Sequence, residues 1–271
     1  HEAGYFINAI DYVIVTRSEP SYYEDLDAIH SLNYQRNTLA ESLHVISYYL
    51  NSSAYRELSS KLHPRFKEER NTVNCLEVFY QSPEMETIQL SDEHKFSYFA
   101  SPKSESDYQI GLRFELSDGD YTQIVSYLSG LPWNSIYTSH LRESALVIGA
   151  FENTHLDDVN KVKYNTDSLG FNGSSTLIEE LSPKLFITCE FSGKEGDIRM
   201  DVVKKLREEI AYSKQGSTNV LPADKTLLLN LRNLQVRCSI NKNFVSSGQI
   251  QVVKAQKHFS SLQFISPSSL I

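Results

Sequence analysis

The sequence predicts an α+β protein, with an N-terminal helical segment followed by one or two mainly antiparallel sheets packed with amphipathic helices. Three observations carry this. Ile110, Leu112, Phe114 and Leu116 alternate strictly with Gly111, Arg113, Glu115 and Ser117. One face of that strand is therefore buried and the other wet, the pattern of an antiparallel sheet. Ile198, Val202, Val203, Leu206 and Ile210 recur at helical spacing, directly after the strand-like run Leu185–Phe191. Toward the C-terminus Leu227, Leu229 and Leu231 alternate, then Leu234, Val236, Cys238 and Ile240 do so in the opposite phase.

Taken in order, Tyr12–Val15 reads as a strand, ended by Ser18-Glu19-Pro20-Ser21. Ser21 with Glu24, and Thr38 with Glu41, make capping-box signatures that open two helices. Leu39, Leu43, Ile46 and Leu50 supply the second helix with its stripe. Asn51-Ser52-Ser53 breaks it, and Ala54–Leu62 forms a third helix before Pro64. From Cys75 the period switches to two, with strands expected at Cys75–Tyr80, Glu86–Leu90, Lys95–Ala100 and Asp107–Ser117. Asp118-Gly119-Asp120 is read as a turn into a helix bearing Ile124, Val125 and Leu128. Ser144–Phe151 is a strand, Leu156–Lys163 a helix, and Asn165–Ser175 a polar, flexible loop. A short helix follows, and the phase shift at Arg232-Asn233 predicts a β-bulge or tight bend. Gly248–His258 and Ser260–Ile265 read as closing strands. Three segments are expected: 1–70 as a strand plus helices, 71–152 as an antiparallel α+β unit, and 153–271 as an α+β unit with C-terminal strands, the last two separate or continuous.

Composition bounds the function. The 271 residues are 40% apolar and 22% charged, ordinary for a globular chain long enough to bury a core unaided. Lys and Arg total 26 against 34 Asp and Glu, a net charge of −8. That opposes broad nucleic-acid binding, which needs many cationic contacts. Arg232, Arg237, Lys242, Lys254 and Lys257 form one local basic patch, which permits nucleic acid without favouring it. The three cysteines, Cys75, Cys189 and Cys238, are scattered, neither a disulfide framework nor a zinc motif. They read as buried thiols of a reducing compartment, so the cytoplasm is expected. No apolar run approaches the roughly 20 residues of a membrane helix.

The strand–turn–helix over Lys184–Lys214 is the clearest unit. Its turn, Ser192-Gly193-Lys194-Glu195-Gly196, precedes Asp197 as the helix cap. Glycines before a helix can expose amides to an anion. The spacing is not that of a P-loop, the hydroxyl is missing, and Glu195 and Asp197 stand where a phosphate would go. Ser192, Gly193, Lys194 and Gly196 are nonetheless the first candidate binding residues, with Trp133 and Tyr137 as a second, aromatic pair.

No catalytic constellation stands out. His155-Leu156-Asp157-Asp158 holds metal-ligand types, but adjacent residues on a helix diverge. Ser139-His140 and His94 lack a nucleophile elbow. Glu190 with Lys194 is similar to the acid and lysine of metal-dependent nucleases, whose spacing is tighter, with Glu115 or Glu152 as the second acid. No cofactor and no metal site is implied. The leading expectation is therefore a non-enzymatic binding or ligand-sensing module with a protein partner. The alternatives are a metal-dependent nuclease or phosphodiesterase using Glu190 and neighbouring carboxylates, and an extracytoplasmic sensor domain of a membrane receptor.

Overall fold

The computed structural model describes residues 7–17, 19, 22–39, 43–58, 72–77, 84–100, 109–152, 154–160, 163–192, 196–212, 218–224 and 227–238, with the backbone of 249–252 and 262–265. The chain is α+β and forms two compact units, one of residues 3–84 and 99–111, the other of 85–98 and 112–271.

In the first unit β1 (Tyr12–Val15), β2 (Ser47–Asn51) and β3 (Thr72–Leu76) make a parallel sheet in the order β1-β2-β3. Helix α1 (Leu26–Leu39) lies between the first two strands in sequence, and residues 52–58 are helical (α2). Val15, Leu26, Ile46, Tyr48, Leu50 and Leu58 share one core.

The helix expected to end at Leu50 is a strand. Leu39, Leu43, Ile46 and Leu50 fit helical spacing, but Ile46, Tyr48 and Leu50 fit period two equally well, and all three are fully buried. β-branched and aromatic residues favour the pleated form, and pairing with β1 and β3 settles it. Thr38 is no N-cap either, since its hydroxyl donates back to Gln35 O at 2.8 Å in the last turn of α1. Asn51 starts a helix rather than breaking one: its Oδ1 accepts from Ala54 N–H at 2.8 Å. The loop before β2 is held from α1, where Asn33 and Asn37 both donate to His44 O at 3.0 Å.

The second unit is built on a seven-stranded sheet, β10-β9-β8-β7-β6-β5-β4. Its strands are β4 (Glu86–Gln89), β5 (His94–Ala100), β6 (Ile110–Asp118), β7 (Tyr121–Leu128), β8 (Leu146–Ala150), β9 (Leu185–Cys189) and β10 (Asn219–Pro222). β4 pairs antiparallel with β5, whereas β7, β8, β9 and β10 run parallel. The pairing is thus mixed, because α3 (Ile136–His140), α4 (Gly170–Leu181) and α5 (Arg199–Tyr212) lie in the crossovers that parallel neighbours require. Val125, Leu146, Leu185, Ile187 and Leu221 form its core.

Ile124, Val125 and Leu128 belong to strand β7, not to a helix. Asp118-Gly119 is a hairpin signal, and Gly119 takes φ +59° in the turn between β6 and β7. The segment Asn165–Ser175 is not a loop throughout, for α4 begins at Gly170. Its small residues serve close packing. A Cβ on Gly173 would lie 3.0 Å from Trp133 Cβ, and one on Gly149 in β8 2.8 Å from Phe186 Cζ. Leu156–Asn160 is a 3₁₀ helix. The strand–turn–helix unit agrees with its sequence: Ile198, Val202, Val203, Leu206 and Ile210 are all buried, and Asp197 Oδ1 accepts from Arg199 N–H at 3.3 Å. Arg199 also donates to Ala223 O and Arg207 to Val220 O, both at 3.0 Å, fastening α5 along β10.

β11 (Leu227–Asn230) and β12 (Gln235–Cys238) form an antiparallel hairpin, and β13 (Gln249–Val252) pairs antiparallel with β14 (Leu262–Ile265). The phase shift at Arg232-Asn233 is the hairpin turn itself, in which Asn230 and Asn233 side chains accept from the amides two residues on.

Candidate functional site

Parallel sheets place ligands at the carboxyl ends of their strands. In the second unit three such ends meet: Leu128 of β7 pairs with Gly149 of β8, and Ala150 of β8 with Cys189 of β9. The residue after β9 is Glu190. It takes φ +54°, an uncommon backbone for a residue with a side chain. Such strain persists only where the surroundings over-determine it, and it gathers at functional sites.

What holds Glu190 is a pair of hydroxyls from β7 and the residue after it. Tyr127 Oη donates to Oε1 at 2.5 Å, and Ser129 Oγ to Oε2 at 2.8 Å. Cys189 Sγ is 3.5 Å from Gly149 O and 3.9 Å from Glu190 Oε1. Burial, reinforced by the Glu190 charge, pushes the Tyr127 phenol far up, so it remains a donor. The same two causes raise the Cys189 thiol, which therefore stays protonated. Beyond β8, Phe151 N–H donates to Cys189 O at 2.9 Å and its ring stacks on Phe191 at 5.2 Å. The arrangement is a fixed carboxylate with two hydroxyl donors, suited to accepting a proton or orienting a polar ligand.

The other sequence candidates that are described sit on several elements. Of the turn residues, Gly193 and Lys194 fall outside the described residues. Ser192 is exposed, and Gly196 takes φ +80°. The acid–lysine pair of Glu190 with Lys194 therefore lies outside the described residues. Glu115 is engaged on β6 and β5 by Arg113 and by Lys95 Nζ at 2.8 Å. Trp133 and buried Tyr137 do meet, edge to face at 6.1 Å, and Trp133 also stacks on Tyr164 at 6.4 Å. Tyr164 lines a cavity of about 170 Å³ with Thr154, Lys163, Asn165, Asp167 and Asn172. The cavity includes none of Tyr127, Ser129 or Glu190. In the basic patch, exposed Arg232 reaches Asp118 at 3.8 Å, while Lys242, Lys254 and Lys257 lie outside the described residues. Cys75 and Cys189 are free thiols.

Sequence reading found Glu190 but missed Tyr127 and Ser129. Period two over Tyr121–Leu128 was the available signal for the strand. Nothing local signals that its end meets a residue more than sixty positions away.

No protein-family profile matches the sequence, and no curated protein does. The fold, by contrast, has solved relatives. The chain is similar to the metallo-β-lactamase fold protein YhfI from Bacillus subtilis, with TM-score 0.56, 9% identity, and coverage of 80% of this chain and 77% of that one. It is similar to unliganded yeast PDE1, with TM-score 0.59, 11% identity, and coverage of 80% and 67%. It is also similar to the short form of human tRNase Z, with TM-score 0.57, 8% identity, and coverage of 84% and 82%. The expectation of a non-enzymatic binding or sensing module is corrected by these likenesses, since the fold is one on which a tRNase is built; the sensor role falls with it. Among the described residues no helix is long and apolar enough to cross a membrane.

A metallo fold implies a metal, and the residues can be tested for one. Among the described residues no group of three or more His, Cys, Asp or Glu side chains is placed to hold an ion. At the strand ends Glu190 is flanked by a phenol, an alcohol and a protonated thiol. Divalent ions are held by several carboxylate, imidazole or thiolate donors together, so the described residues do not fit the group. The fold of this chain is α+β and similar to that of metallo-β-lactamase fold proteins.

Proposed function

We propose that the chain is a hydrolase acting on phosphoester bonds at the carboxyl edge of β7, β8 and β9, with Glu190 as its working carboxylate. The observation that carries this is the strained backbone of Glu190 together with its two hydroxyl donors. Support at the level of fold comes from the likeness to PDE1 and tRNase Z. In this reading Glu190 accepts a proton from the attacking water. Tyr127 and Ser129 hold its carboxylate in one orientation, and their hydroxyls answer its charge without neutralising it. Because no described donor set fits a metal, no step is assigned to one.

The test is turnover of bis(p-nitrophenyl) phosphate and of a short single-stranded RNA by the purified full chain. Hydrolysis is expected, and Glu190→Gln, which keeps the shape and removes the base, should slow it by about 10²-fold or more, the usual scale for general base catalysis. Absence of turnover on both substrates, or a Glu190→Gln variant as fast as the parent, overturns the proposal.

A further inference from the structure

The likeness to metallo proteins and the chemistry around Glu190 disagree, and the disagreement is informative. We infer that Glu190 does not ligate a metal ion in this chain: its carboxylate is a hydrogen-bonded tie that fastens the end of β9 to the end of β7. This goes beyond the hydrolase reading and stands on geometry alone.

Four observations carry it. Each carboxylate oxygen accepts from a different hydroxyl, Oε1 from Tyr127 at 2.5 Å and Oε2 from Ser129 at 2.8 Å. Both hydroxyls come from one strand end, so the two bonds act as a fork across β8 onto β7. The adjacent soft donor, Cys189 Sγ, faces two acceptors, Gly149 O at 3.5 Å and Glu190 Oε1 at 3.9 Å. No His, Cys, Asp or Glu group of three exists among the described residues to complete a coordination shell. A lone carboxylate holds a divalent ion weakly, because the ion's hydration must be replaced by several ligands at once. Hydroxyl donors around an anion perform the opposite task, supplying positive dipole where a metal would supply charge.

The test compares the full chain with Glu190→Gln by calorimetric titration with Zn²⁺ and with Mn²⁺, and by metal analysis of both proteins as purified. The expected result is identical metal content and identical affinities, whatever metal the chain carries elsewhere. An affinity for either ion about tenfold weaker in Glu190→Gln, the loss seen when a ligand's setting is disturbed, overturns the inference. Should Glu190→Gln fail to fold, the Tyr127→Phe/Ser129→Ala variant replaces it. Its Phe151 amide, bonded to Cys189 O beside the tie, should exchange faster with metal affinity unchanged. A tenfold change of that affinity in either direction would overturn the inference too. Turnover is not the readout, so failure of the hydrolase reading and failure of this one are separable.

Discussion

Ser129 Oγ donates a 2.8 Å hydrogen bond to Glu190 Oε2 across 61 positions of the chain. The two residues meet because β7, β8 and β9 run parallel and in register, Leu128 opposite Gly149 and Ala150 opposite Cys189. Ser129 is fully buried. Removing its hydroxyl leaves one carboxylate oxygen short of a donor, so Ser129→Ala should lower unfolding stability by about 1.5–3 kcal/mol, the range for a hydrogen bond to a charged group. Urea unfolding measures it, and a loss below about 0.5 kcal/mol would mean the bond is not formed in solution.

Gly149 is set by close packing. A Cβ there would lie 2.8 Å from Phe186 Cζ and 2.9 Å from Leu169 Cδ1, both fully buried side chains. Gly149→Ala is expected to cost about 1–3 kcal/mol by overpacking. Gly119→Ala is the matched comparison, with open space but φ +59°. It should cost on the order of 1 kcal/mol from backbone strain alone. A loss at Gly149→Ala well below about 1 kcal/mol, or smaller than that at Gly119→Ala, would contradict the packing account.

Asn51 caps α2 through the 2.8 Å bond from Ala54 N–H. Asn51→Ala should therefore cost about 0.5–2 kcal/mol, and Asn51→Asp much less. Thermal melts of the two variants distinguish a cap from a general polar contact, since only a cap is rescued by aspartate.

Asp197 gives a pH dependence with a defined sign. Its hydrogen bonds from Arg199 hold its carboxyl at about 2, below the ordinary 3.8. A carboxylate depressed in the folded state stabilises above its ordinary value and loses that contribution as pH falls through the folded one. The window is thus pH 3.8 to about 2. Asp197→Asn should melt somewhat lower than the parent at neutral pH, where the contribution is fully present, and converge on the parent as pH falls through that window. Because the carboxylate is fully exposed, salt should shrink the difference. A variant whose melting temperature tracks the parent through that window would remove Asp197 from the account.

The limits of legibility follow from range. The unit from Leu185 to Tyr212 was readable because its signals are local: an apolar strand, an aspartate cap and one helical stripe, each confirmed by burial or by a bond within a few residues. Ile46 and Leu50 were ambiguous because spacing of four satisfies both a helix and a strand, and only the partners Tyr12–Val15 and Thr72–Leu76 decided it. Likewise Asn165–Ser175 looked like loop because serine and glycine are poor helix formers alone. Packing of Gly173 against Trp133 makes smallness useful there.

By itself the sequence determined the α+β class, the strand–turn–helix at Leu185–Tyr212, the turn at Arg232-Asn233 and Glu190 as an acid at a strand end, since periodicity and caps act over a few residues. The tertiary structure decided that the central strands run parallel and that Tyr127 and Ser129 close on Glu190. It also decided that two hydroxyls meet the acid, with no group of three metal-ligand side chains among the described residues. Strand direction and register are settled by crossover helices and by burial of whole faces. Such interactions join residues far apart in the chain and leave no mark on either one's neighbours.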